Sequence, residues 1–175
     1  MTLEKAMDSA ELRATQAPIK DRYKSDPKSA MITLKASGSI ENEGIACKVE
    51  TGRALAVAGL HPATGGSGLE LCSGDMLLEA LVACAGVTLK SVATALDVPL
   101  RAGTVTAEGD LDFRGTLGID KEVPVGFAAI RLRFNVDTDA PQEKLDLLHK
   151  LTERYCVVYQ TIRNGPKVSV TMHRM

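Results

Sequence analysis

Apolar positions along this chain follow two periods, and the change from one to the other marks the elements. Residues 3–16 have a helix-forming composition that runs up to Pro18. Residues 18–28, PIKDRYKSDPK, are charged and carry two prolines, which predicts a linker or arm. Three stretches then read as strands: 30–40 (AMITLKASGSI), 44–50 (GIACKVE) and 53–60 (RALAVAGL). The first two show partial alternation, with Ser-Gly and Glu-Asn-Glu-Gly as turn chemistry between them. Residues 61–69, HPATGGSGL, predict a flexible loop.

Residues 74–97 predict a long helix. Ser73 can cap its start, Asp75 lies in its first turn, and Pro99 follows its end. Met76, Leu77, Leu78, Leu81, Val82, Cys84, Val87, Leu89, Val92 and Leu96 point to nearly every side, so the helix should be buried all round. The small residues Ala80, Ala83, Ala85 and Gly86 permit close neighbours. One small domain has trouble covering such a helix, which makes room for a partner subunit. Strands are predicted again at 103–116 and, with clear alternation, at 125–137. A second helix starts near Pro141 with Asp139 as its cap, buries Leu145, Leu148 and Leu151, and runs towards Arg154. A last strand is predicted over 167–173. The order gives an α+β class built from hairpins, divided into a helix and arm (1–28) and one domain (29–175).

Composition narrows the function. The 175 residues are 45% hydrophobic and 25% charged, a globular balance. The formal net charge of −1, with six aromatic residues and no Trp, argues against a nucleic-acid partner. No uninterrupted apolar run reaches the ~20 residues of a membrane span. The N-terminus has charges throughout and no central apolar stretch, so it does not read as a secretory signal, and the expected compartment is the cytoplasm. The loop residues Gly65-Gly66-Ser67-Gly68 lack the Gly-Lys-Ser/Thr of a P-loop. Leu69 stands where a nucleophile elbow needs Gly.

The four cysteines, Cys47, Cys72, Cys84 and Cys156, form no Cys-x-x-Cys pair, and His61, His149 and His173 are scattered, so no zinc site is expected. Two readings remain for the thiols: inert buried side chains, or a pair brought together by folding.

The segment DMLLEALVACAGVTLKSVA resembles the signature helix of the OsmC/Ohr superfamily, the osmotically inducible protein C and organic hydroperoxide resistance proteins. LLHKLTERYCVVYQTIRNG resembles the same superfamily's C-terminal helix, cysteine and closing turn, and EGDLDFRGT…VPVGFAAIRLRFNVD its middle hairpin. The likeness covers roughly residues 30–173. It implies an intertwined homodimer in which antiparallel sheets wrap a long central helix, with the site at the subunit interface. It further implies a cofactor-free thiol peroxidase for small organic hydroperoxides, with Cys84 peroxidatic, Cys156 resolving and a thiol or dithiol as reductant.

The superfamily's peroxidases place an Arg in the turn after the first strand and a Glu ten positions before the first cysteine. Here that turn is SGSIENEG, and Gly74 with neighbouring Asp75 stands at the Glu position. Candidate replacement cations are Arg22, Arg53, Arg154 and Arg163. Asp75 and Glu79 are the carboxylates that could act in the site. Cys47 and Cys72 read as structural, Cys72 with a possible second use as resolving thiol, and the three histidines as surface or loop residues. The alternative is an OsmC-like domain that binds a small molecule, or senses redox state, without turnover.

Overall fold

The computed structural model describes residues 9–40, 47–49, 58–68 and 71–174. Helix α1 spans Ser9–Ser25, followed by a 3-10 turn at Pro27–Ala30. Strands β1 (Met31–Ile40), β2 (Cys47–Val49), β3 (Ala58–Gly59) and β4 (Leu71–Cys72) lead into the long helix α2 (Ser73–Ala95). Then come β5 (Ala102–Asp112), the one-turn helix α3 (Phe113–Thr116), β6 (Phe127–Asp137), α4 (Gln142–Tyr155) and α5 (Val157–Asn164). One sheet has the order β2-β1-β5-β6, with β1 and β2 antiparallel and Ser39 opposite Lys48; β3 and β4 form a separate parallel pair. This is the α+β class the hairpin pattern predicts. The predicted strand residues 44–46, 50 and 53–57, with Arg53, lie outside the described residues.

The chain divides into two compact units. The first comprises Met1–Ser37, Glu50–Glu79 and Thr106–Arg133. Its core joins Tyr23, Ala30 and Phe113, packed by Ile19, Ala63, Leu111 and Ile119. Tyr23 is wholly buried and its hydroxyl donates to the Ala63 carbonyl at 2.8 Å. That burial explains why residues 18–25 are helix and not the linker their composition predicts: α1 runs through Pro18, accepting the cost of a proline in its interior, because Ile19 and Tyr23 gain a core. The loop after β3 is likewise held, not free. It forms a 3-10 turn at Pro62–Thr64, Gln16 Nε2 donates to the Thr64 carbonyl at 3.2 Å, and Gly66 lies so close to the chain that a Cβ would stand 1.6 Å from the Leu60 carbonyl oxygen.

Strand β5 stops four residues before the predicted end. Asp112 accepts from the Arg114 amide at 3.0 Å and pairs with its guanidinium, which caps α3 and turns the chain. Arg131 pairs with Asp110, and Arg133 with Glu108 at 3.0 Å; residues ascending one strand meet residues descending the other, the antiparallel sense.

The second unit comprises Gly38–Val49, Ala80–Val105 and Phe134–Met175. Its buried side chains include Leu81, Val82, Ala85, Leu89 and Ala93 of α2, Val105 of β5, Leu148 and Thr152 of α4, and Cys156. Leu81, Ala85, Leu89 and Ala93 recur every fourth residue, one helical stripe. α2 is therefore not buried all round: only 39% of its most apolar stretch is buried, and Leu77 and Val87 are each 40% exposed. By length and mean hydropathy alone it could cross a membrane, but its inner stripe packs as a core helix does. It ends on Asp97 (φ +50°), with Val98 N–H on the Ala93 carbonyl at 2.9 Å, a closing turn of the Schellman kind.

Asp139 does not cap α4. It pairs with Arg101, as does Asp137, and Pro141 stands at the cap position with no side-chain bond. Residues 167–173 are not a strand. They have no ladder partner among the described residues, and Val168, Val170 and Met172 stand 80%, 89% and 96% exposed.

Candidate active site

The second unit brings two of the predicted thiols together. Cys84 sits half-buried in the middle of α2, next to the buried stripe at Ala85. Cys156 is the single residue between α4 and α5: its amide donates to the Thr152 carbonyl at 3.0 Å and its carbonyl accepts from Gln160 N–H at 2.9 Å. The backbone is thus pinned on both sides, and the Cys156 side chain is 1% exposed. Both residues are free thiols, and Cys84 lies near enough to Cys156 to act on its ionisation.

Burial pushes the Cys156 thiol up to about 11. The Tyr159 and Val158 amides at the start of α5 pull the other way, and the neighbouring Cys84 sulfur adds to the rise, since two thiolates side by side repel. Among the described residues, no cation contributes at Cys156. At neutral pH it is a protonated thiol in an apolar corner, fit to react with an electrophilic sulfur rather than to attack first.

The candidate cations among the described residues each stack on an aromatic ring. Arg154 is exposed and stacks over the Tyr155 ring at 5.5 Å, Arg163 over Tyr159 at 5.9 Å, and Arg22, in the first unit, over Tyr23 at 5.1 Å. Arg53 lies outside the described residues. Cys72 is half-buried at the end of β4, opposite Gly59. Cys47 lies on β2. Glu79 is half-buried on α2 with no ion pair among the described residues.

Asp75 has a partner that its position in the sequence does not reveal. Burial raises its carboxyl, and His61 partly offsets that. His61 is no plain loop residue. Its ring stacks on Phe113 at 4.9 Å, its Nδ1 accepts from the Ala63 amide at 3.0 Å, and burial lowers its pKa while Asp75 resists. The only sequence signal was a histidine directly before a proline-led turn.

Beside the thiol corner, an open apolar groove of about 480 Å³ runs along α4 and α5, lined by Arg154, Tyr155, Val157, Gln160, Thr161 and Asn164 with Pro166. Cys156 is not part of its wall. No cluster of His, Cys, Asp or Glu able to hold a metal occurs among the described residues.

A family model described as OsmC-like protein matches residues 66–171, a span that holds α2, both thiols and the groove. The chain belongs to the OsmC-like protein family. Among solved structures, an OsmC-like hydroperoxide resistance protein from Jannaschia sp. CCS1 is similar, with a TM-score of 0.57 over 83% of this chain and 93% of that one, at 15% identity. A likeness at that identity carries the OsmC-like fold. No curated protein matches the sequence.

Proposed function

We propose that this OsmC-like protein is a cofactor-free thiol peroxidase that reduces organic hydroperoxides through Cys84 and Cys156. The observation that carries the reading is the meeting of two free thiols, one mid-helix and one at a helix junction, in the family's fold. Cys84, as thiolate, attacks the terminal peroxide oxygen. The O–O bond breaks, the departing alkoxide takes a proton and leaves as the alcohol, and Cys84 becomes sulfenic acid. The Cys156 thiol then displaces the hydroxyl: the S–S bond forms, the S–O bond breaks, and the thiol proton leaves with the hydroxyl as water. An external dithiol reduces the pair by exchange and is itself oxidised to a disulfide.

The site is completed by a second copy of the chain. In support, α5 has no buried residue although its residues form a strongly amphipathic helix, Val157 is 71% exposed, and the tail offers alternating apolar side chains that stand exposed. A dimer that covers these surfaces also shields the outer flank of α2 and can bring a cation to Cys84 to stabilise the charge of the attacking sulfur. We place this chemistry in the cytoplasm, where thiols are kept reduced.

The test mixes reduced protein with cumene hydroperoxide and counts thiols and alcohol. One peroxide should be consumed per two thiols, Cys84→Ser should stop consumption, and Cys156→Ser should stop at a trappable sulfenic acid. Consumption that survives Cys84→Ser overturns the mechanism. Sedimentation should give twice the chain mass. The second reading, a domain that binds a small molecule or senses redox state without turnover, is favoured by the absence, among the described residues, of a cation acting on Cys156. It predicts slow peroxide consumption no faster than that of a free cysteine.

A further inference from the structure

We propose that Glu153 and Tyr159 are positioning residues for the second step, closure of the Cys84–Cys156 disulfide; the proposal rests on the peroxidase reading above. Cys156 is the hinge between two helices, so the direction of its Cα–Cβ bond is set by the angle between α4 and α5. Its own backbone bonds reach one turn each way, to Thr152 and Gln160. Side chains add a bracket across the corner. The Tyr159 hydroxyl, on α5, donates to Glu153 Oε1, on α4, at 3.2 Å. Gln160 Nε2 donates to the Glu153 carbonyl at 2.7 Å. Arg163 Nη1 in turn donates to the Tyr159 oxygen at 3.1 Å, and His149 Nε2 stands 3.9 Å from the same Glu153 oxygen. Two bonds, from Tyr159 and Gln160, therefore tie the first turn of α5 to the last turn of α4, and Arg163 and His149 buttress them from within each helix, on a corner where α5 itself contributes no buried side chain.

This arrangement has a chemical use. A disulfide tolerates a narrow geometry, with an S–S bond of about 2.05 Å and a torsion near ±90°. A sulfenic acid that waits for its partner meets a second peroxide and becomes sulfinic acid, which thiols do not reverse. Apolar burial holds Cys156 in the core but does not fix the helix angle at ångström scale. Directional hydrogen bonds do, and here they converge on Glu153. The step itself is balanced as above: the Cys156 proton and the Cys84 hydroxyl leave together as water.

The test uses full-length reduced protein and a single addition of cumene hydroperoxide, quenched at intervals with dimedone and read by mass spectrometry as sulfenic acid, disulfide and sulfinic acid. Tyr159→Phe keeps the ring and deletes the hydroxyl. It should form Cys84 sulfenic acid at the wild-type rate, close the disulfide about fivefold more slowly, as the loss of one net hydrogen bond implies, and accumulate more sulfinic acid at excess peroxide. Glu153→Ala should behave alike, and Glu153→Gln, which keeps an acceptor oxygen for Tyr159, should restore closure to within about twofold. Disulfide closure at the wild-type rate in both Tyr159→Phe and Glu153→Ala overturns the proposal, as does equal slowing of both steps, the mark of a merely structural role. Wild-type protein that forms no disulfide overturns the peroxidase reading and this assignment with it; the wild-type arm thus separates the two failures.

Discussion

Taking the protein from about pH 8 to about pH 11 should cost it more stability when Cys156 is present than when it is replaced by alanine. The side chain is 1% exposed, and burial, with Cys84 beside it, raises the thiol from 9.0 to about 11. In the unfolded chain the proton leaves near 9; in the folded chain it stays until about 11. Between those values the folded state binds more protons, so stability falls as pH rises. The contribution is complete below about 9 and gone above about 11. Each pH unit in that window is worth about 1.4 kcal/mol, so the full loss is on the order of 3 kcal/mol. Denaturant unfolding of wild type and Cys156→Ala, measured across this range, isolates the effect. The alanine variant has a cavity penalty that does not change with pH, and alkaline titrations away from the Cys84–Cys156 pair are common to both proteins. Ultraviolet absorbance of ionised thiols should rise further in this window in wild type than in Cys156→Ala. Two stability curves that stay parallel from pH 8 to 11 would refute the claim that Cys156 is a buried, protonated thiol.

Three further outcomes follow from the first unit. Tyr23→Phe removes the hydroxyl that donates to Ala63 and should lower stability by about 1–2 kcal/mol, a fall in Tm of roughly 2–8 °C; an unchanged Tm would mean that α1 is not clamped there. Gly66→Ala drives a Cβ against the Leu60 carbonyl and should destabilise by about 2–3 kcal/mol in denaturant unfolding, whereas a neutral effect would show that the loop yields freely. His61 should titrate with a midpoint below 6.5 by proton NMR, because protonation charges a part-buried ring and ends the bond that Nδ1 accepts from Ala63; a midpoint at or above 6.5 would mean that Asp75 outweighs burial.

Much of the candidate site was legible before any coordinates. The run around Cys84 and the run around Cys156 each resemble the family, and the structure puts both residues in one packed unit. The pairing itself was not legible in the residues: the thiols are far apart in sequence, have no motif spacing, and meet only because α2 and the α4–α5 corner pack in one unit. α5 escaped the pattern because eight residues are too few for a helical period to stand out, and His61 because a histidine in a loop has no signal until Phe113 and Asp75 arrive beside it.

What the amino-acid order settled by itself is the kind and approximate bounds of β1, α2, β6 and α4, since backbone sterics and side-chain periodicity act between residues a few positions apart. What only tertiary structure decided is where local preference was weak or opposed. Tyr23 found a core and carried α1 through a proline; residues 167–173 have strand alternation but no ladder among the described residues, and so are not a strand. In each case the deciding energy comes from a contact with a distant part of the chain, or from the lack of one, and no window of neighbouring residues contains it.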